Sequence, residues 1–182
     1  MSWYCDVAPG HPHHGPYHDH EYGFPATDER VLLERLSLEI FQAGLSWLIV
    51  LKKRPTIHAA FEAFDPDRVA AYGEPERARL LADAGIIRNR RKVDAIIENA
   101  RRLRGLRADH GDFAGWIAAH HPRPKAAWVT LFREHFVFTG GELVGEFLMS
   151  IGTLPGAHRE DCPVYRRIAE LDPPWMQTPS VY

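Results

Sequence analysis

Apolar positions along the chain recur three or four residues apart, the period of one helical face. Leu36, Ile40, Ala43, Trp47 and Leu51 form one such series, and Val93, Ile96, Ile97, Ala100 and Leu103 another. Breakers and caps divide the pattern into elements. Asp28 caps a helix from Glu29 to Gln42, Gly44 interrupts it, and Ser46 can cap a second helix behind that corner. Pro55 either kinks the second helix or opens the next, through His58 to Phe64. Asp65-Pro66 is a cap followed by proline at the first helical position, opening a short helix to Ala71. After Gly73, Pro75 opens Glu76 to Ala84, and a turn over 84–89 leads into the longest helix, Arg90 to Arg107. Gly111 and Asp112 mark the next boundary, with Trp116 and Ile117 inside the helix that follows. Further helices are expected over Lys125 to His135, Gly141 to Ile151 and Asp161 to Leu171.

No segment alternates apolar and polar residues as a strand would, and no repeat is present. The pattern predicts a compact all-α fold of eight to ten helices. It forms one domain over 1–182, with a Pro-, Gly- and His-rich extended arm (1–26) and a loose or surface-draped tail (172–182).

Composition adds limits rather than direction. The 182 residues suit one domain, and 45 % hydrophobic with 25 % charged residues is ordinary for a soluble protein. No apolar run reaches the roughly 20 residues of a membrane span, and the start lacks a signal-peptide layout. The expectation is a cytoplasmic monomer. A net charge of −2 gives no global sign of a nucleic-acid partner. Its distribution does: Arg88, Arg90, Arg91, Lys92, Arg101, Arg102, Arg104 and Arg107 are opposed only by Asp94 and Glu98. Such a stripe is either a phosphate footprint or a solvated, partly ion-paired helix face.

Two features carry candidate chemistry. Glu39 is a carboxylate in the most apolar stretch of the chain, and with Trp47 it could line a pocket at the helix corner. The plainer reading leaves Glu39 in water and Trp47 in the core. The two cysteines, Cys5 and Cys162, lie near opposite ends. A disulfide, two unrelated thiols and a shared metal site all fit. A reducing compartment disfavours the disulfide. His158 and Cys162, four apart, project from one face of a helical turn. With Cys5 and His18 they would complete a closed tetrahedral zinc set, although five histidines crowd the first twenty residues and spacing does not single out His18.

Several motifs resemble those of the 3-methyladenine DNA glycosylase I family, a branch of the helix-hairpin-helix glycosylases. They are Tyr17-His18-Asp19-His20-Glu21-Tyr22-Gly23, Leu38-Glu39, Gln42 to Trp47, Leu51 to Arg54, Phe64-Asp65-Pro66, and Asp83 to Arg90 with Lys92. The likeness is close over residues 1–105 and looser beyond. It implies a helix-hairpin-helix motif around the Gly85 turn, and a structural zinc on Cys5, His18, His158 and Cys162 joining the two chain ends. It further implies contact of Gly85, Arg88, Arg90, Arg91 and Lys92 with the backbone of duplex DNA carrying alkylated bases. Tyr17, Tyr22 and Trp47 would hold the base and Glu39 would be the essential pocket carboxylate. The activity implied is hydrolysis of the N-glycosidic bond of an extruded alkylated purine. Lys52 and Lys53 are not placed for a Schiff base, so no strand cleavage is expected.

The sequence departs from the family pattern at three places. After Phe138 it runs Thr139-Gly140-Gly141-Glu142-Leu143-Val144-Gly145-Glu146, without the usual hydroxyl pair and following aromatic. Gly156-Ala157 replaces the Asn-Asp before His158, and Tyr22 replaces a tryptophan, with Val7 and His14 in place of arm aromatics. Glu142 and Glu146 either add negative charge to the pocket or are solvated. The first option suits an altered lesion preference, or a damaged-DNA binder that excises nothing. A zinc-stapled protein whose basic face meets a protein partner is a third reading.

Overall fold

The computed structural model describes residues 3–182; residues 1 and 2 of the expected arm lie outside it. Twelve α-helices and two short 3-10 turns make up the regular structure of the described residues, with no strand among them. The helices are α1 (Tyr4–Val7), α2 (His14–His20), α3 (Glu29–Gln42), α4 (Trp47–Ala60), α5 (Pro66–Ala70) and α6 (Glu74–Ala82). Then come α7 (Arg90–His110), α8 (Phe113–His120), α9 (Lys125–His135), α10 (Gly141–Ser150), α11 (Pro163–Ala169) and α12 (Pro174–Gln177). No helix among the described residues is long and apolar enough to cross a membrane.

The caps read from the sequence hold their helices. Asp28 accepts from the Arg30 and Val31 N–H groups, Asp65 from Asp67 and Arg68, and Asp112 from Gly115. Each satisfies amides that a helix start leaves unpaired. Ser46 precedes α4 but its side chain makes no capping bond. Pro55 does not open a new helix: it lies inside α4, on its exposed side. The element through His58 to Phe64 is also corrected: α4 stops at Ala60, and Glu62, Ala63 and Phe64 adopt left-handed φ of 51°, 56° and 52°. Phe61 stacks on Phe64 at 5.2 Å, and the Glu62 carboxylate accepts from the Tyr72 hydroxyl at 2.9 Å. Buried packing thereby holds a turn that a non-glycine chain disfavours.

The main core is formed by α3, α7, α8, α9 and α10, with α5 packed along α7. Leu36, Ile40, Phe41, Ile96, Trp116, Trp128, Phe132 and Phe147 are fully buried there. A second, smaller cluster joins Tyr4, Ala8, Tyr17, Tyr22, Leu51 and Ala157. The expected extended arm is therefore wrong. Residues 4–7 and 14–20 are helical and bury Tyr4, Cys5, Tyr17 and His18, because their aromatic rings pack on α4 and on the segment before α11. The tail is draped rather than loose: the Tyr182 hydroxyl lies 2.9 Å from His121 Nε2.

Candidate active site

Both chain ends meet between α2 and α11. Cys5, His18, His158 and Cys162 are buried, and their ligand atoms all lie within 4.8 Å of one another. Cys162 Sγ is 3.6 Å from His158 Nδ1 and 3.9 Å from His18 Nε2, and Cys5 Sγ is 3.7 Å from His158 Nδ1. Tetrahedral bonds to zinc would set sulfur and nitrogen about 3.6 Å apart. The remaining ring nitrogens are already engaged: His158 Nε2–H donates to the Tyr22 carbonyl at 2.7 Å, and His18 Nδ1–H to Asp19 at 2.7 Å. Those bonds fix the tautomers that aim Nδ1 of His158 and Nε2 of His18 at the thiols, as outer partners of metal-bound imidazoles do. Burial also lowers the pKa of His158, favouring the neutral ring that binds metal. The four residues form a buried group that could hold a metal ion.

On the other side of the Tyr22 carbonyl lies a cluster of aromatic rings. Tyr17 packs edge-on against Trp47 with centroids 5.2 Å apart, Tyr22 lies 5.7 Å from Tyr17, and Tyr4 5.6 Å from Tyr22. Trp47, half-buried at the start of α4, packs against both hydrophobic clusters. Glu39 is 7 % exposed and its carboxylate makes no hydrogen bond or ion pair among the described residues. Burial, then the charge of Glu146, raise its pKa to about 8 against the pull of Arg35. A carboxylate so little exposed and without a protein partner is costly in a folded protein, and its oxygens, not sealed from solvent, are open to a cation or a donor that arrives later. Burial and the facing carboxylates also hold Tyr22 well above the usual phenol range and Tyr17 at about 12, so both keep their protons.

Beneath the rings runs a polar network that sequence reasoning did not single out. Arg35, one turn before Glu39, donates to the Tyr17 hydroxyl at 3.2 Å and to Glu21 at 2.7 Å, and covers the Tyr17 ring at 4.8 Å. Arg54 ties Glu21 to Glu34 at 2.7 to 3.0 Å. The four-residue spacing of Arg35 and Glu39 on a helix was the available signal. Tyr4, in the segment read as an arm, carried none.

The basic stripe separates into two parts. Arg101 donates to the Ala70 and Tyr72 carbonyls, Arg102 pairs with Glu98, and Arg104 and Arg107 meet Asp67. That half ties α7 to its neighbours. Arg88 and Arg91 are exposed and make no ion pair among the described residues; Arg90 makes only long ones, 3.8 Å to Glu74 and to Asp94. Lys92 is misplaced in the sequence reading. It is 5 % exposed, and its Nζ donates to the Phe41 and Ala43 carbonyls at 2.7 and 2.6 Å. It caps the unpaired carbonyls at the end of α3 and so braces the corner between Glu39 and Trp47, with two of its three N–H groups turned inward. Across the 83–89 turn, Lys53 and Thr56 of α4 bind the Ala84 and Gly85 carbonyls at 2.8 and 2.6 Å. A Cβ at Gly85 would lie 2.9 Å from Asp83 Oδ1 and 3.1 Å from Thr56 Cβ, so a side chain there would press on both neighbours. The N–H groups of Ile87, Arg88, Arg90 and Arg91 have no partner among the described residues.

The altered α10 also resolves into two roles. Glu142 is exposed, 3.4 Å from Lys125, and is not in the aromatic cluster. Glu146 is half-buried and accepts from the Tyr22 hydroxyl at 3.0 Å. Gly141 and Gly145 line the same helix, and a Cβ at Gly145 would sit 2.5 Å from Lys125 Cε, so the lysine side chain crosses that position. Two cavities of about 300 and 360 Å³ lie elsewhere, one beneath the C-terminal tail and one beside the Cys/His group.

The family model described as methyladenine glycosylase matches residues 7–134. The chain belongs to the methyladenine glycosylase family. DNA-3-methyladenine glycosylase 1 of Escherichia coli is 42 % identical over 132 residues, covering 71 % of this chain and 70 % of that one. The Haemophilus influenzae DNA-3-methyladenine glycosylase is 34 % identical over 166 residues, covering 81 % of this chain and 89 % of the relative. A solved structure of Staphylococcus aureus 3-methyladenine DNA glycosylase I, a study of 3-methyladenine recognition, superposes with a TM-score of 0.78. It is 29 % identical and covers 88 % of this chain and 95 % of that one. Against this family background the aromatic cluster and Glu39, not the two cavities, are the candidate site.

Proposed function

We propose that this protein is a monofunctional DNA glycosylase that hydrolyses the N-glycosidic bond of alkylated purines, foremost 3-methyladenine, in duplex DNA. It leaves an abasic site and an uncut strand. The observation that carries this reading is the Glu39 carboxylate, only 7 % exposed and without a partner among the described residues, whose charge helps to raise the Tyr17 and Tyr22 phenols while Trp47 packs on Tyr17.

A purine alkylated on a ring nitrogen carries positive charge, and its bond to deoxyribose is already weakened because the base departs neutral. The protein has to extract the nucleotide, hold the cation and tolerate an electron-poor sugar while water attacks. Aromatic faces attract a cationic ring. Glu39 accepts from its exocyclic amine, and the arriving charge favours the ionised carboxylate that burial disfavours. Tyr17 and Tyr22, held neutral, present faces and hydroxyls rather than charge.

On the DNA side, α6, the 83–89 turn and α7 serve as the helix-hairpin-helix unit. The unpaired N–H groups of Ile87, Arg88, Arg90 and Arg91, at a helix start, suit a phosphate. Arg88, Arg90 and Arg91 add charge, while Lys92 acts only through the corner it braces. Zinc on Cys5, His18, His158 and Cys162 has four protein ligands and no open position, which makes it structural. It would hold the Tyr22 carbonyl, and with it the aromatic wall, through His158. The glycosylase unit is read as a single domain acting as a cytoplasmic monomer.

The test is release of base from duplex oligonucleotides carrying 3-methyladenine. Wild-type protein releases it, and Glu39→Gln lowers the rate by about 10²-fold, the scale for removing one electrostatic group from a dry site. Unchanged release in Glu39→Gln removes Glu39 from the mechanism. The replacement of the family's hydroxyl pair and aromatic on α10 favours a second reading, a binder of damaged DNA. Tight lesion binding without release from any alkylated substrate would establish it.

A further inference from the structure

Two departures from the family pattern meet in space. Tyr22 stands where a tryptophan is usual, and its hydroxyl, which an indole lacks, donates to Glu146 at 3.0 Å. Glu146 lies on the altered helix α10, and its charge is felt at Glu39 across the cluster. The nearest ammonium, that of Lys125, pairs with Glu142 at the rim and makes no ion pair with Glu146 within 4.0 Å. Only one bond reaches the Glu146 carboxylate among the described residues, that of Tyr22 at Oε2, so Oε1 and further lone pairs stay available. Glu39 is more than nine-tenths buried and has no partner among the described residues. The cluster therefore offers two acceptor groups, Glu39 and the Glu146 carboxylate that Tyr22 holds, where a single carboxylate would serve an alkyladenine.

We propose that Glu146 is a second carboxylate of the base pocket and a specificity residue, extending the substrate range to cationic N7-alkylguanines. The inference rests on the glycosylase reading of the same site. Its chemical basis is the pattern of donors on each base. Adenine presents a ring acceptor, N1, beside its amino group, and a second carboxylate gains little there. Guanine presents N1–H and the 2-amino group side by side, two donors that match the two oxygens of one carboxylate. Alkylation at N7 makes the guanine ring cationic, which suits the facing tyrosines and sharpens the N–H donors. Tyr22 orients Glu146 by fixing Oε2, so it acts on this preference as a positioning residue.

Duplex DNA treated with a methylating agent carries 7-methylguanine beside 3-methyladenine, so both releases can be read in one reaction after subtracting spontaneous loss. Wild-type protein is expected to release both. Glu146→Gln, which keeps size and can still accept from Tyr22, should lower the ratio of 7-methylguanine to 3-methyladenine release by about tenfold, the scale of one lost bidentate contact. Tyr22→Phe should lower it less. A readout without turnover is titration with 7-methylguanosine and guanosine slightly below neutral pH. The wild type should bind the cationic nucleoside at least tenfold more tightly, and Glu146→Gln should lose most of that preference. An unchanged release ratio in Glu146→Gln overturns the proposal, as does a wild type that binds the two nucleosides equally. Absence of release of either base would instead defeat the glycosylase reading, and the wild-type titration would still decide the role of Glu146.

Discussion

The main core and the lobe built from the chain ends are held by different physics. The core packs Leu36, Ile40, Ile96, Trp116, Phe132 and Phe147 out of water with neighbours supplied by long helices. Hydrophobic burial of this kind is additive and needs no cofactor. The lobe has two short helices, a few tyrosines and four Cys and His side chains that could hold a metal ion, with Cys5 and His158 153 positions apart in the chain. It has too little apolar area to stand alone. Trp47 and Met149 lie on the seam, each packed against both clusters, and Glu39 stands on α3 one turn beyond Arg35, which bonds Tyr17 of the lobe. The site is thus half rigid scaffold and half conditional wall, and each half can be attacked separately.

The largest effect should come from removing the ligand set. With zinc bound in the wild type, Cys162→Ala or a strong chelator is expected to cost several kcal/mol locally, since metal binding is folding energy in such sites. Hydrogen exchange should rise over residues 4–24 and 157–169 while α7 and α9 stay protected. Base release should fall with it, because the Tyr22 wall is lost. Uniform loss of protection would show that core and lobe form one cooperative unit. A metal-free wild type with full thermal stability would remove the metal from the account.

Phe147→Ala is the matching blow to the core. Phe147 is fully buried, stacked on Phe113 at 5.7 Å and set edge-on against Phe132. A loss of about 3–5 kcal/mol is expected from the lost burial and the cavity. Here denaturant midpoints by tryptophan fluorescence and by helical circular dichroism should shift together. Separate shifts would contradict a single packed core.

The same contrast explains what could be read from the chain. Elements of the core were legible because each announces itself locally. The caps Asp28, Asp65 and Asp112 and the 3.6-residue period set α3, α5, α7, α8 and α9 to within a few residues. The lobe was not, since Tyr4, Tyr17 and Tyr22 become buried only through partners far away in the chain. The left-handed turn at Glu62–Phe64 was hidden for a related reason: no glycine marks it, and the Phe61–Phe64 stack and the Tyr72–Glu62 bond hold it. Lys92 was legible in principle. It stands four residues before Ile96 on the buried stripe of α7, a position where a lysine has to be reaching for buried acceptors.

Lys92 tests the seam itself. Lys92→Met keeps the stem and removes the ammonium that caps the Phe41 and Ala43 carbonyls. A loss of about 1.5–3 kcal/mol is expected, the usual worth of hydrogen bonds from a charged group. Base release should fall because the corner carrying Glu39 and Trp47 loosens. The salt dependence of binding to undamaged duplex should stay as in the wild type. Arg91→Ala should do the reverse, leaving stability intact and lowering the salt slope by about one. A reduced salt slope in Lys92→Met would return that lysine to the DNA face.

The smallest effect has an unusual sign. The Glu39 pKa is raised to about 8 in the folded protein, by burial first and Glu146 second, above the usual carboxylate value near 4.3 in the unfolded chain. Between those values the folded state binds the extra proton, so stability falls as pH rises. The carboxylate adds no cost below the unfolded pKa, and its full cost is present above about pH 8. Glu39→Gln removes the titrating group and should be more stable than the wild type at pH 8, by about 1 kcal/mol after relaxation, with the gain shrinking towards pH 5. Thermal melts of the two proteins across that range read the difference directly. A gain in stability together with the loss of base release would mean that the charge is kept at the seam for a ligand, against the interest of the fold. Equal melting temperatures at every pH would mean that water or a neighbour already satisfies Glu39, and the reason for calling it the cation-holding group would be gone.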